Sequence, residues 1–466
     1  MKFRLYAVAL FFILFGINAC QTDDSIPSQP FVIAFDKLSY DFSKIQDIQE
    51  IKLVFSEKAK VDGSVLVRIT PTNATYGVDF STLPLAQNNT LELPFQTGQE
   101  TISFSFKNLI FPFDSDTKAI EFEVIKINYN SETAIQGYIK SIISFERSIG
   151  AVMQPEVGGP NQGDQVFIDL STEEITKARR DSWDLGFYGG EVSRVTINGS
   201  IYMAVKQLEA TNIDAVTQSS VEQFFPSVAI GTFDPTNENY IDNPNGHLDQ
   251  TAIEEISDIA ENNKVYLVNM GYTVGSSTPP VGSVAVAGDP RGWKKIRILK
   301  QANGYLLQHA DLNSTTHEEI SISKNNAYNF TFFSLATKSI VAVEPEKAKW
   351  DLCFTVFTNT IDGAGSYGYS DFVLNNLKAG VKLYRVNTTL KAYADYKLSD
   401  VSEDSFQNDQ RVIGADWRDV FTGGAFADRY YIIKDIDNNY YKIKMLGFLN
   451  DSGVRGYPKF EYQLLQ

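Results

Sequence analysis

The chain has 466 residues, which at the usual domain size makes about three domains. Hydrophobic residues make up 43 % and charged residues 21 %, with no long biased tract. That excludes a disordered scaffold, a collagen-like rod and a multi-span membrane protein. The formal charge of −16 argues against nucleic acid as a partner, because a phosphate backbone demands basic surface. Three histidines and two cysteines leave little material for metal or nucleophilic chemistry.

At the N-terminus Lys2 and Arg4 precede an apolar stretch, residues 5–15, that is short for a bilayer span and right for a signal-peptide core. It ends in Ile17-Asn18-Ala19-Cys20, which resembles a bacterial lipobox. Residues 1–19 are therefore read as a lipoprotein signal peptide, Cys20 as the acylated residue and 20–29 as a tether. Such an anchor holds domains outside a membrane without a protein span. The pair Asp23-Asp24 resembles the acidic export tag of lipoproteins displayed by Bacteroidetes-type bacteria, so the expected location is the outer membrane, facing the cell exterior. With Cys20 acylated, Cys353 has no disulfide partner.

Residues 30–147 read as strand throughout. Thr101-Ile102-Ser103-Phe104-Ser105-Phe106 alternates strictly, and Ile120-Glu121-Phe122-Glu123-Val124 does the same, which predicts a β-sandwich. Tyr76-Gly77-Val78-Asp79-Phe80, followed by Pro94-Phe95-Gln96-Thr97-Gly98-Gln99-Glu100, resembles a Calx-β domain. Some Calx-β domains bind calcium through an acidic cluster, and Asp79 matches one ligand position. Lys107-Asn108-Leu109 stands where the acidic run is expected, with Asp114 and Asp116 only later. A hard cation needs several converging oxygens, so the expectation is an ion-free turn with Asp79 as its one calcium candidate. The domain is read as a spacer or adhesive module.

The remaining residues contain a duplication. Val166-Phe167-Ile168-Asp169-Leu170-Ser171-Thr172 leads to Trp183-Asp184-Leu185-Gly186-Phe187. Phe330-Thr331-Phe332-Phe333-Ser334-Leu335-Ala336-Thr337 leads to Trp350-Asp351-Leu352-Cys353-Phe354. The two tryptophans stand 167 positions apart. Lys264-Val265-Tyr266-Leu267-Val268 matches Arg429-Tyr430-Tyr431-Ile432-Ile433, and Lys295-Ile296-Arg297-Ile298-Leu299 matches Lys442-Ile443-Lys444-Met445-Leu446. The copies are bounded at 150–325 and 326–466, with extra Gly/Ser/Pro-rich residues 275–292 in copy 1. Alternation places Ile296, Ile298, Ile443 and Met445 inward and predicts outward cations that blunt the strand edges. The tryptophans are expected to anchor cores. Helical period is read only in pieces, at 172–180 and 252–261.

The order of these blocks, with Asn198-Gly199 and the turn Asp435-Ile436-Asp437-Asn438-Asn439, resembles the HmuY family of haem-binding lipoproteins from Bacteroidetes, in two tandem copies. The resemblance implies an all-β fold: a Calx-β-like sandwich followed by two HmuY-like β-rich domains. It also implies a non-enzymatic role, capture of haem or a related porphyrin outside the cell and delivery to an outer-membrane haem receptor. Haem-binding members clamp the iron between two histidine or methionine side chains. One comes from a mid-domain loop, the other from shortly before the late aromatic strand. In copy 2 the latter region, Trp417-Arg418-Asp419-Val420-Phe421-Thr422-Gly423-Gly424, has neither residue. Copy 1 has His247 before its late strand and Met203 earlier. These are the axial candidates, and one haem per chain is expected.

Other features carry less chemistry. His309 is read as a surface residue on a strand, and His317 lacks a second histidine at zinc-site spacing. The 435–439 turn has the look of a calcium loop but lacks its glycine and distal glutamate. No nucleophile elbow, phosphate loop or dinucleotide fingerprint is present, so no enzyme is expected. The alternative function is an adhesion or glycan-binding envelope lipoprotein, supported by 23 tyrosines, 32 phenylalanines and the duplication itself.

Overall fold

The computed structural model describes residues 30–41, 45, 47–110, 118–130, 132–144 and 150–465. The signal peptide, Cys20, Asp114 and Asp116 lie outside the described residues. The chain is all-β. In the N-terminal unit the alternation read from the sequence puts Phe104, Phe106, Ile120, Phe122 and Val124 in the core between two sheets. One sheet orders the strands Ile33–Phe35, Ile48–Phe55, Thr101–Asn108 and Phe80–Leu83. The other orders Ser39–Asp41, Lys140–Ser144, Ala119–Asn128, Gly63–Thr72 and Thr90–Phe95. Phe104 of one sheet meets Phe122 of the other with ring centroids 5.0 Å apart. Tyr138 Oη donates to the Glu461 carboxylate at 2.9 Å, and Lys37 pairs with Glu173, so the sandwich rests against the duplicated region.

The two copies are not separate beads. Each sends its opening hairpin into the other. The strand Asp164–Ile168 of copy 1 pairs antiparallel with Leu352–Ile361 of copy 2, Phe167 opposite Cys353 and Ile168 opposite Leu352. Reciprocally, Phe330–Ser334 of copy 2 pairs with Leu185–Tyr188 of copy 1, Phe333 opposite Leu185. The cores follow the exchange. Val166 and Ile168 pack with Leu352, Phe354 and Tyr462, while Phe333 and Leu335 pack with Leu185, Phe187 and Tyr305. A third cluster at the junction holds both tryptophans with Phe167, Phe330, Phe332 and Cys353.

The repeated Trp-Asp motif explains this pairing. Asp184 accepts from the Leu335 N–H at 2.6 Å, and Asp351 accepts from the Leu170 N–H at 2.8 Å. Each carboxylate therefore caps the opening strand of the other copy. Asn198 Nδ2 donates to the Arg180 and Trp183 carbonyls at 2.7 and 2.8 Å; Asn376 Nδ2 donates to those of Lys347 and Trp350 at 2.8 and 2.9 Å. Buried polar groups aligned in this way specify one register, because an unpaired one costs free energy.

The late strands build one sheet per copy. Copy 1 orders Ala204–Gln207, Val265–Asn269, Trp293–Gln301, Gly304–Asp311 and Glu318–Ser323. Copy 2 aligns Lys382–Asn387, Arg429–Lys434, Tyr440–Leu449 and Arg455–Leu464, and Gly150–Met153 from the very start of copy 1 pairs alongside Arg455–Leu464.

Several local expectations are corrected. Residues 172–180 form a turn, with Glu173 at φ 59°, and the strand Ile175–Arg179 rather than a helix. Pairing with Asp164–Ile168 overrides the helical period. Residues 252–261 are irregular up to a 3-10 turn at Ala260–Asn262, with Ile253 and Ile256 pinned in the core. The outward cations of the late strands are partly inward. Lys295 is fully buried and donates to the Val216 and Ser314 carbonyls at 2.5 and 2.7 Å. Its counterpart Lys442 donates to the Tyr393 carbonyl at 2.7 Å. Each pins a loop that covers its strand. His309 is also buried, its ring 5.7 Å from that of Phe333, and burial lowers its pKa.

Candidate functional site

His247 sits at the end of a tight turn. Asn243 Oδ1 accepts from the Asn245 N–H at 3.1 Å, Gly246 adopts φ 87°, and Asn245 Oδ1 accepts from the His247 N–H at 2.8 Å. Asparagines that bond their own backbone make such turns without regular structure. The half-buried imidazole reaches across to copy 2. Its Nε2 lies 2.8 Å from the Asn408 carbonyl oxygen and 3.0 Å from Asn408 Nδ2. The contact to a carbonyl requires the proton on Nε2, so that nitrogen offers no lone pair while the contact lasts. Gln410 completes the stitch: its N–H donates to the Asn245 carbonyl and its Nε2 to the Pro244 carbonyl, both at 3.0 Å.

Met203 is fully buried, immediately before the strand Ala204–Gln207 and after Tyr202 at φ 69°. Met203 and His247 line the same cavity, together with Ile197, Phe330, Phe357 and Lys378. Its walls come from both copies. The free volume is about 60 Å³, well below the ~300–1,000 Å³ of small-molecule sites. A neighbouring cavity of about 130 Å³ shares Phe330, Phe357 and Lys378 and adds Trp183, Trp350, Glu344 and Cys353.

The charges here are held in apolar surroundings. Burial pushes the Glu344 carboxyl up to about 7, while its oxygen accepts from the Phe330 N–H at 2.9 Å. Burial also lowers the pKa of Lys378, whose ammonium donates to Gln410 Oε1 at 3.2 Å. Asp242 is raised by desolvation and accepts from Thr196 Oγ1 and from the Ile197 and Ala252 N–H groups at 2.9 and 2.8 Å. The Cys353 thiol is pushed up by burial, so it is no nucleophile. Lys378, Glu344 and Asp242 escaped the sequence reading, because nothing local to them marks a junction between copies.

Copy 2 forms a second, larger cleft of about 620 Å³, lined by Tyr369, Phe372, Arg385, Arg411 and Arg418. It lies where the sequence reading found neither histidine nor methionine. Trp417 is a core residue, its Nε1 donating to the Asp371 carbonyl at 3.1 Å, and it turns the adjacent Arg418 towards the cleft.

The remaining candidates are quickly located. Asp79 Oδ2 accepts from the Thr75 N–H at 2.6 Å, and its Oδ1 lies 3.6 Å from Lys118 Nζ. Asp435 accepts from the Asn439 N–H at 2.7 Å and from Asn439 Nδ2 at 2.6 Å, closing an ordinary hairpin. Among the described residues no group of three or more His, Cys, Asp or Glu could hold a metal ion. Among them no helix is long and apolar enough to cross a membrane.

A search of curated proteins finds no match. Among solved structures, the apo Calx CBD1 domain is 13 % identical, with 25 % of this chain and 97 % of that one covered at a TM-score of 0.20. A candidate lipoprotein from Bacteroides fragilis is 10 % identical, with 68 % and 90 % covered at a TM-score of 0.15. The family model described as HmuY protein matches twice, over residues 161–324 and 326–462. Two consecutive matches spanning more than half of the sequence make this chain a member of the HmuY family.

Proposed function

We propose that the chain is a non-enzymatic binding lipoprotein that captures haem or a related porphyrin outside the cell. An acyl group on Cys20 anchors it to the outer membrane, and its ligand passes to an outer-membrane receptor. The observation that carries the reading is the convergence of His247 and Met203 of copy 1 on one cavity whose aromatic wall, Phe330 and Phe357, comes from copy 2. Those are the side-chain types that hold haem iron. A porphyrin does not fit about 60 Å³, so binding requires the His247 turn to part from Asn408 and Gln410. His247 Nε2, released from Asn408, and Met203 are the side chains that would hold the haem iron.

Haemin titration of the purified protein tests this. The expected result is a shifted Soret band saturating at one haem per chain and weakened by His247→Ala. Met203→Leu, which conserves most of the volume, changes the spectrum with little effect on folding. An unshifted band ends the haem reading. For the anchor, Cys20→Ser releases the chain from the membrane fraction, and retention of the processed variant removes that part of the proposal.

A further inference from the structure

At the copy 2 cleft two buried guanidinium groups share one carboxylate, while the lining carboxylates Asp409 and Asp416 pair with Arg411 and Arg385. Asp371, its side chain wholly buried, receives two guanidinium groups: Arg455 Nε at 2.7 Å and Arg418 Nη1 at 3.3 Å. Its other oxygen accepts from Gln162 Nε2 at 2.6 Å. One carboxylate thus serves two cations, whose side chains are only 12 % and 8 % exposed. Arg418 Nε, also buried, has no hydrogen-bond partner among the described residues. A desolvated guanidinium with a spare donor gains from any anion that reaches it.

The cleft above is built for more than a free ion. Its volume of about 620 Å³ falls in the range of small-molecule sites, ~300–1,000 Å³. Tyr369 and Phe372 form one wall, their ring centroids 6.2 Å apart. Arg411, also in the lining, makes a two-pronged pair with Asp409 at 2.7 and 3.0 Å and donates to Asn359 at 2.7 Å. Planar polar groups beside an aromatic face suit a ring with vicinal hydroxyls: the hydroxyls take the forked hydrogen bonds and the C–H face takes the aromatic. The aromatic track runs on past the cleft, from Tyr369 to Tyr367 at 5.5 Å and from there to Phe233 at 6.1 Å. Tyr367 is 40 % exposed and Phe233 68 % exposed, enough to seat further sugar units.

We propose that this cleft binds an acidic oligosaccharide, its carboxylate on Arg418 and Arg411 and its sugar rings along Tyr369, Tyr367 and Phe233. None of the residues lining the His247 cavity lines this cleft, although Asn408 and Gln410, which hold the His247 turn, alternate along the chain with Gln407, Asp409 and Arg411 of the cleft.

Calorimetry on the full chain tests this with trigalacturonate, its methyl ester and sialyllactose. At least one acidic sugar binds, and where trigalacturonate does, the methyl ester is about tenfold weaker or worse. Arg411→Gln and Tyr369→Ala each weaken binding of the acidic sugar about tenfold while the chain still unfolds cooperatively. Binding by neither acidic sugar overturns the proposal. So does equal binding of trigalacturonate and its ester, or affinity indifferent to Arg411→Gln.

Discussion

At the two reciprocal corners of the duplicated region, Asp184 and Asp351 hold the same position. Each accepts from the backbone of the other copy's opening strand. Their surroundings differ. Asp184 has Arg291 Nη1 at 2.6 Å, whereas Asp351 faces Asp169, Asp435 and Asp437, and burial pushes its carboxyl well above the ordinary range. The tryptophans differ as well. Trp183 Nε1 donates to Gln165 Oε1 at 2.8 Å, while the corresponding position in copy 2 is Phe330, and Trp350 Nε1 has no partner among the described residues. What both corners keep is an oxygen acceptor for one backbone N–H and a large aromatic in the junction. Charge compensation and the indole partner are kept in one corner only. The exchange of hairpins therefore rests on geometry and burial, not on ion pairing.

The largest test removes the partner altogether. A chain of residues 30–325 deprives the strand Leu185–Tyr188 of Phe330–Ser334 and the strand Asp164–Ile168 of Leu352–Ile361. Two hydrophobic edges and half of each core are exposed. The expected outcome is loss of cooperative unfolding in the duplicated region, or self-association through the same strands. Supplying residues 326–466 in trans restores a folded complex. A monomeric 30–325 chain with a full near-ultraviolet dichroism signal throughout would show that the copies fold without exchange.

Substitution of the two aspartates sharpens the comparison. Asp184→Asn leaves Arg291, only 10 % exposed, without its carboxylate, and breaking one side of a buried pair costs about 3–5 kcal/mol. Asp351→Asn keeps the acceptor for Leu170 and removes a charge that burial already opposes, so it costs about 1 kcal/mol or less at neutral pH. Urea unfolding of both variants decides it; equal losses mean that Arg291 contributes nothing. One step smaller, Gln165→Leu leaves the Trp183 indole as unpaired as that of Trp350 and costs about 1–3 kcal/mol by the same measurement.

Much of this was legible before any coordinates. Alternation located Phe104, Phe122, Ile296 and Ile443 in their cores, and the repeated Trp-Asp-Leu marked equivalent corners. The exchange was not legible, because Val166 and Ile168 present the same apolar face to a strand of either copy. The sequence fixes which face is buried; which of two equivalent strands lies beside it depends on loop reach and on Asp351 and Asp184. Lys295 and Lys442 misled for a related reason. Their partners are loop carbonyls far along the chain, and a backbone carbonyl leaves no trace in residue identity. His247 and Met203 were singled out by residue type and by the positions that the HmuY resemblance implies, whereas Arg418 and Arg455 are tied together only in space, through Asp371 and Ser370.

The smallest effect concerns pH and separates the junction from the corners. Glu344 is buried beside the Lys378 ammonium, the Phe330 N–H and Asn329, with the Cys353 thiol close enough to feel its charge. Its folded value of about 7 lies above the ordinary 4.5, so between those limits the native state holds a proton that the unfolded chain has lost. Stability from this group is therefore gained as pH falls through about 7 and lost as pH rises through it. Between pH 6 and pH 8 the native protein loses about 1.4 kcal/mol relative to Glu344→Gln, which cannot titrate. Asp351 and Asp242 shift in the same direction and remain in both proteins, so comparing the two urea midpoints across that range isolates Glu344. Parallel pH profiles would mean that the carboxyl is already neutral or already solvated, and that Asp242 alone is the titrating partner of Lys378.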